Sequence, residues 1–216
     1  MKKVITLASA IAIGVSLNVA YSGGSSNDLV SEYIVQGAKK ETILKNIVND
    51  CKIIIVDGIT EGAACTTLLA KEYINNDNPL LIANSDQFIE WNSDWFYYET
   101  NQNKSDGIIL TFNDNNSKWS FAEIDDNQNV IRVAEKEVIS NNASVGIYYY
   151  SKGSDYVKYS EQMINKNLRV NNEFYICPVY NEFINDNKKI KIFKIDKMWG
   201  LGTPEDLNYY LENYKK

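Results

Sequence analysis

Three short stretches of the 216-residue sequence hold residues whose type and place can support chemistry. Asp86 is the first. It follows Pro79 to Ala83 (PLLIA), an apolar run that reads as a buried strand and ends in the polar cluster Asn84-Ser85-Asp86-Gln87. Ligands of open α/β sheets gather beyond the carboxyl ends of their strands. A carboxylate there can hold Mg²⁺ and so neutralise phosphate oxygens, or it can be a helix cap or a solvated loop acid. Thr60-Glu61-Gly62-Ala63-Ala64 is the second: its small residues let a ligand approach the backbone at a helix start, or simply make a turn. Glu135-Lys136 is the third, at the end of the strand pattern Val130 to Ala134. Lys suits a phosphate and Glu a sugar hydroxyl, while adjacent opposite charges on an exposed edge also form solvated pairs.

Composition narrows the chemistry further. The chain has no histidine, which excludes Ser-His-Asp hydrolysis, Cys-His proteolysis and His-ligated zinc. What remains runs on carboxylates, Lys, backbone amides and a hard metal ion. Lys and Arg total 22 against 28 Asp and Glu, a net charge of −6 that argues against a nucleic-acid coat or a polybasic membrane binder. With 44% hydrophobic and 23% charged residues, one folded domain with a sizeable core is expected. Cys51, Cys65 and Cys177 are odd in number and widely spaced, so they read as buried thiols rather than a disulfide framework.

The elements that must position these residues alternate in type. Strands are expected at Glu32 to Gln36, Lys52 to Val56 and Pro79 to Ala83, with helices at Glu41 to Val48 and Ala63 to Tyr73. Gly107 to Phe112, Trp119 to Ile124, Val130 to Ala134 and Ser144 to Tyr150 follow as strands separated by Asn- and Asp-rich turns. Ser154 caps an expected helix through about Leu168; Pro178 to Ile184 forms another, and Lys189 to Ile195 returns as a strand. Trp199 to Pro204 reads as a tight turn into a last helix, with Thr203 as cap and Pro204 at the first position. The tyrosines at 148 to 150 and at 209, 210 and 214 read as packing rather than a sugar-stacking platform. This order indicates an α/β unit. At the amino terminus, Met1-Lys2-Lys3, the apolar run Val4 to Ala20 and the small residues near Ser22 fit a secretory signal peptide. The same run also suits a buried first strand, Lys3 to Ala8, and is too short and polar for a stable membrane span.

In order, TEGAACT (60–66), LLIANSDQ (80–87), VAEK (133–136), VGIYYY (145–150), NNEFYICPVYNE (171–182) and WGLGTPEDL (199–207) resemble bacterial sugar-1-phosphate nucleotidyltransferases, most closely the small capsule- and lipopolysaccharide-associated members. The resemblance implies a three-layer α/β/α GT-A-like, Rossmann-like fold with a mixed, mainly parallel sheet, spanning residues 32–216 after a divergent segment, 1–31. It implies a cytoplasmic enzyme that joins an NTP to a sugar 1-phosphate and releases pyrophosphate, with Mg²⁺ as cofactor. By motif, Thr60, Glu61, Gly62, Ala63 and Ser85 fall on the nucleotide side and Asp86 on the metal. Glu135, Gly146 and Glu173 fall on the sugar, and Lys136 on the sugar phosphate; Asp86 and Lys136 would carry the chemistry. Two departures stand out. Leu7 to Gly14 lacks the family's loop Arg, with no Pro-Lys-Pro element following, and Gly200 and Leu201 occupy the place of a second metal-binding Asp, leaving Asp196 as a substitute. A non-catalytic sugar-phosphate-binding or partner module, or a GT-A glycosyltransferase, is the alternative. Export is the alternative location if residues 1–22 act as a signal peptide. An NTP requirement favours a degenerate first strand instead.

Overall fold

Short apolar runs covered on both faces build the centre of the molecule. The computed structural model describes residues 18–22, 31–35, 51–56, 58–102 and 104–214. Its strands are β1 (Asn18–Ser22), β2 (Ser31–Val35), β3 (Cys51–Ile55), β4 (Leu80–Asn84), β5 (Gln87–Glu90), β6 (Gly107–Asn113), β7 (Ser120–Ile124), β8 (Val130–Glu135), β9 (Asn142–Tyr150), β10 (Ile190–Lys194) and β11 (Lys197–Gly200). Its helices are α1 (Ala63–Leu68), α2 (Lys71–Ile74), α3 (Ser93–Gln102), α4 (Gly153–Asn165), α5 (Val179–Asn185) and α6 (Pro204–Asn213). The main sheet runs β10-β6-β9-β4-β1-β2-β3, with β7 beside β9 and β8 beside β7; β5 and β11 form a separate ribbon.

Strand β9 is antiparallel to both β4 and β6, and β1 is antiparallel to both β4 and β2. The pairs β10–β6 and β2–β3 are parallel. Strands β2, β3, β4, β6 and β10 therefore share one direction, and the reversed strands β1 and β9 sit among them. The α/β class and the mixed sheet agree with expectation. Antiparallel pairings nevertheless outnumber parallel ones among the described strands, because each reversed strand has two neighbours. A continuous apolar run shows that a strand is buried on both faces, not which way it points.

Alternation along the central strands makes three layers. Leu80, Ile82, Ile109, Tyr148 and Tyr150 face one core, which is filled by α1, α4 and α5 through Ala64, Tyr156, Tyr159, Tyr180 and Phe183. The intervening residues Ile108, Leu110, Val145 and Ile147 face the other, against Phe96 of α3, Phe193 and Ile195. Tyr150 stacks on Tyr180 at 4.8 Å, and Phe183 lies 4.2 Å from Tyr159 between ring centroids. The tyrosines of β9 thus pack, as expected.

Several elements differ from the sequence reading. The helix expected over Ala63 to Tyr73 breaks between α1 and α2. Thr66 and Thr67 donate their hydroxyls to the carbonyls of Gly62 and Ala63 (3.1 Å each), four residues back, a bond that competes with the helical ladder. Ser154 does not cap α4: Lys152 holds the cap position, and the Ser154 hydroxyl reaches Asp77 at 3.3 Å. Thr203 does cap α6, accepting from Asp206 N–H at 3.1 Å. Strand β5 and helix α3 had no sequence expectation, and β11 runs through Trp199 and Gly200, read from sequence as part of a tight turn, because they pair with Phe88 and Gln87 of β5. The strand read at Lys3 to Ala8 and the helix at Glu41 to Val48 lie outside the described residues. Among the described residues no helix is long and apolar enough to cross a membrane.

The tyrosine-rich layer is where a cavity would cost most. Phe183 is fully buried, so Phe183→Ala should lower stability by about 3–5 kcal/mol, read as a fall in the urea midpoint with an unchanged slope.

Candidate functional site at the tips of β4 and β8

The site begins where the chain turns from β3 into α1. Gly62 has φ of +125°, and a β-carbon there would lie 2.5 Å from both the backbone N and O of Phe174. Only glycine permits that approach. Two backbone bonds close the seam: Phe174 N–H donates to Glu61 O at 2.8 Å, and Ala64 N–H donates to Phe174 O at 2.9 Å. The Thr60 and Thr66 hydroxyls hydrogen-bond each other at 2.5 Å and lie 3.2 and 3.1 Å from Gly62 O, so one donates to its partner and the other to the carbonyl.

The opposing strip is shaped by a tight reversal. Asn171 and Asn172 both have positive φ, 48° and 64°, the backbone of a two-residue hairpin that suits Asn, and Val170 and Glu173 bond each other in both directions (3.0 and 2.9 Å). Arg169 braces this turn against the Gly62 loop. Its guanidinium donates to Asn167 Oδ1 (2.7 Å) and Asn172 O (3.1 Å), pairs with Glu61, and lies 4.0 Å from the Phe174 ring centroid. The strip then presents Glu173 and Tyr175.

The third wall is the open end of the β7–β8 hairpin. Ser120 is opposite Glu135, and Lys136 N–H donates to Trp119 O at 3.0 Å. The edge backbone of β8 is not left bare: the Asn181 side chain accepts from Val133 N–H and donates to Val133 O, both at 2.9 Å. Lys136 has φ of +56°, an uncommon conformation for a side-chain-bearing residue, and its ammonium donates to Tyr175 Oη at 2.7 Å. That hydrogen bond raises the Lys136 pKa above its ordinary 10.5. Burial pushes the Glu135 carboxyl above its ordinary 4.5; the Ser120 hydroxyl, which donates to it, and the Lys136 charge pull it back, while Glu173 adds to the rise. Beneath, burial raises the Tyr148 hydroxyl and the Cys177 thiol, so neither ionises near neutrality.

These walls enclose one cavity of about 560 Å³. Of the residues singled out from sequence, Thr60, Gly62, Ala63, Glu135, Lys136, Gly146 and Glu173 line it. Gly146, at φ +72°, lets the Asn84 side chain lie where a β-carbon would be. Glu61, Ser85 and Asp86 are not in the lining. Glu61 instead pairs with Arg169. Asp86 is exposed just beyond, between the lining residues Asn84 and Gln87. Its carbonyl accepts from Leu201 N–H at 2.8 Å, and its Oδ2 lies 2.7 Å from where a β-carbon of Gly202 would sit. Asp196 cannot join it. The β5–β11 register runs from Gln87↔Gly200 to Glu90↔Lys197, and Asp196 N–H bonds Glu90 O, so the two acids occupy opposite ends of the ribbon, on the order of 13 Å apart.

Among the described residues no three Cys, Asp or Glu gather as a metal-binding group. A single exposed carboxylate fits Mg²⁺ only as an ion whose other ligands are water and phosphate oxygens. Sequence reasoning missed Asn84, Gln87, Lys118, Ser120, Ser144 and Tyr175, which also line the cavity. Ser120 was within reach: pairing β7 with β8 about the Asp125 to Asn129 turn sets it opposite Glu135.

Two variants test this geometry. Glu135→Gln keeps the acceptor for Ser120 and removes a charge that burial disfavours. Because the folded carboxyl binds its proton more tightly than the unfolded one, native stability falls as pH rises from 4.5 through the raised pKa. The variant should therefore melt higher than the parent at neutral pH, with the gap closing towards pH 4.5 in thermal melts. Arg169→Ala should cost about 1–3 kcal/mol, and Glu61→Gln should add little on top of it, as a double-mutant cycle would report.

A family model described as nucleotidyl transferase matches residues 17–215. No curated protein sequence matches the chain. Among solved structures, a nucleoside-diphosphate-sugar pyrophosphorylase from Vibrio cholerae is 22% identical, with a TM-score of 0.68 over 84% of this chain and 80% of that one. One assigned as a glucose-1-phosphate thymidylyltransferase of Bacillus anthracis, in complex with sucrose, is 17% identical with a TM-score of 0.64 over 85% and 78%. A UDP-glucose pyrophosphorylase complexed with UDP-glucose is 19% identical, with a TM-score of 0.61 over 81% and 73%. At these identities the likeness is one of fold. The family match extends over nearly the whole described chain, from β1 to α6, and the chain belongs to the nucleotidyl transferase family.

Proposed function

We propose that this chain transfers a nucleotidyl group from an NTP to a sugar 1-phosphate, releasing pyrophosphate, and so makes precursors for capsule or lipopolysaccharide in the cytoplasm. The observation that carries the reading is that the Gly62 turn and Lys136 line one cavity. Thr60, Gly62 and Ala63 give a base a flat backbone wall. Glu135 and Glu173 are acceptors for sugar hydroxyls, and Gly146, covered by the Asn84 side chain, borders the sugar side of the cavity. Lys136 neutralises the sugar phosphate. An oxygen of that phosphate would attack the α-phosphorus of the NTP; the bond from that phosphorus to the pyrophosphate oxygen breaks, and pyrophosphate leaves with the electron pair. The nucleophile is already ionised at neutral pH, so no general base is required and the lack of histidine is no obstacle; rate comes from alignment and charge neutralisation, which the loss of the N-terminal Gly/Arg loop would impair. Asp86 is the residue that would hold Mg²⁺, which supplies charge neutralisation at the phosphates.

A second reading, a non-catalytic module that only binds sugar phosphate, is favoured by one observation: Asp86 is outside the cavity lining. Pyrophosphate release from each NTP with a panel of sugar 1-phosphates separates the two. The enzyme reading expects release that Asp86→Ala abolishes, and a rise in KM for the sugar phosphate of at least tenfold in Lys136→Ala, the loss of one charge-assisted hydrogen bond. Release no greater than in Asp86→Ala, with sugar phosphate still bound, would leave only the module.

A further inference from the structure

We infer that Lys118 is a second phosphate-binding residue of this cavity, meeting the phosphate next to the one on Lys136 when a nucleoside diphosphate sugar, the product of the proposed transfer, is bound. The inference rests on the proposed nucleotidyl transfer and adds to it one residue.

Four observations carry it. Lys118 lines the same cavity as Lys136 and Gly62. It immediately precedes Trp119, whose carbonyl accepts the Lys136 N–H, so the two lysines leave neighbouring strands at one end of the hairpin, with backbones on the order of 6 Å apart. Two long, flexible side chains rooted that closely can close on adjacent phosphates of one ligand.

The Lys118 charge is also weakly engaged. Its ion pair with Asp206 spans 3.8 Å, the longest among the described residues, and half of its side chain is exposed. A second groove, between α2 and α4, offers a contrast. Its cavity of about 520 Å³ is lined by Lys71, Lys158 and Lys166, but each is held by a carboxylate at 2.5, 3.0 and 2.7 Å. Lysines already matched to acids have little charge left for an anion. Asp206 can also release its partner cheaply, because it sits in the first turn of α6, where its N–H meets Thr203 and the helix end favours negative charge.

Lys118 is finally held where a phosphate can use it. Its ammonium lies 4.4 Å from the centroid of the Trp119 ring, a contact that restricts the side chain without neutralising it. Asp206 packs against Gly200 and Asp86 against Gly202, so Lys118, paired with Asp206, lies on the Asp86 side of Lys136. A ligand whose sugar phosphate meets Lys136 would offer its next phosphate to Lys118.

Calorimetric titration of the full chain decides the matter, with uridine, cytidine and thymidine diphosphate glucoses and glucose 1-phosphate as probes. Lys118→Ala should weaken the best diphosphate sugar on the order of tenfold and leave glucose 1-phosphate within twofold, while Lys136→Ala weakens both. Asp206→Asn, which frees Lys118, should tighten the diphosphate sugar; weaker binding would count against the role of Lys118. Thermal melts of Lys118→Ala should match the parent, since the residue is exposed. Equal losses on both ligands, or no loss on either, would overturn the role of Lys118 and leave nucleotidyl transfer standing. Failure of the parent chain to bind any of the four probes would overturn both.

Discussion

A β-carbon at position 62 would lie 2.5 Å from the amide nitrogen and the carbonyl oxygen of Phe174, so the close approach of these two backbones is the constraint on which the cavity depends. Phe174 stands between Glu173 and Tyr175, and Tyr175 holds the Lys136 ammonium. Position is therefore passed by covalent and hydrogen-bonded steps from the turn after β3 to the tip of β8, across segments more than seventy residues apart. Arg169 reinforces the same seam from outside, with its fork on the Asn turn and on Glu61. A turn and a strip that would otherwise drift become two walls of one space.

Inside that space the charges are set against burial. Glu135 lies beneath the Lys136 ammonium, its carboxyl raised by desolvation and held partly in check by Ser120 and Lys136. Such an arrangement does not favour stability, since each buried charge carries a desolvation penalty. It does favour recognition: a carboxylate short of water gains more from a ligand hydroxyl than one already hydrated. Lys136 adds a left-handed backbone conformation to the account, a local strain held by its bonds to Trp119 and Tyr175. The cost is concentrated where binding is expected, and the tyrosine layer behind it supplies packing to offset it.

The sequence made some of this legible and hid the rest for physical reasons. Lys52 to Val56 and Pro79 to Ala83 announced themselves as buried strands through their apolar runs, and Ser144 to Tyr150 as a strand with packing aromatics, but direction leaves no mark on composition, so the reversal of β9 was invisible. The Thr203-Pro204 start of α6 was readable because capping chemistry is local. Helix α3 was not, since Trp95, Tyr97 and Tyr98 stay exposed and blur its apolar stripe. The four-residue strands β5 and β11 are too short for a period to emerge, and only their mutual pairing makes them strands. At the site, Gly62, Glu135 and Lys136 were legible as motifs, whereas Arg169 and Lys118 acquire meaning only through partners distant in sequence, Glu61 and Asp206.

Register in the β7–β8 hairpin explains why those motif residues work as a pair. Successive side chains on a strand face opposite ways, so a slip of one residue would turn Glu135 into the solvent and Lys136 away from Tyr175. The turn at Asp125 to Asn129 fixes the frame at the closed end, where the Asp125 carboxylate accepts from Asn127 N–H, Asn129 N–H and Asn129 Nδ2, although the ladder contains one irregularity, between Glu123 and Ile124. Two contacts from outside the hairpin fix the frame beyond it. Asn181 grips both polar groups of Val133, and Phe121 pairs with Ala143 of β9. Because Asn181 belongs to α5, whose Tyr180 stacks on Tyr150, the register of the hairpin that lines the cavity is set by the same aromatic layer that stabilises the fold. Loosening that layer would therefore be felt at Glu135 and Lys136 before the molecule unfolded.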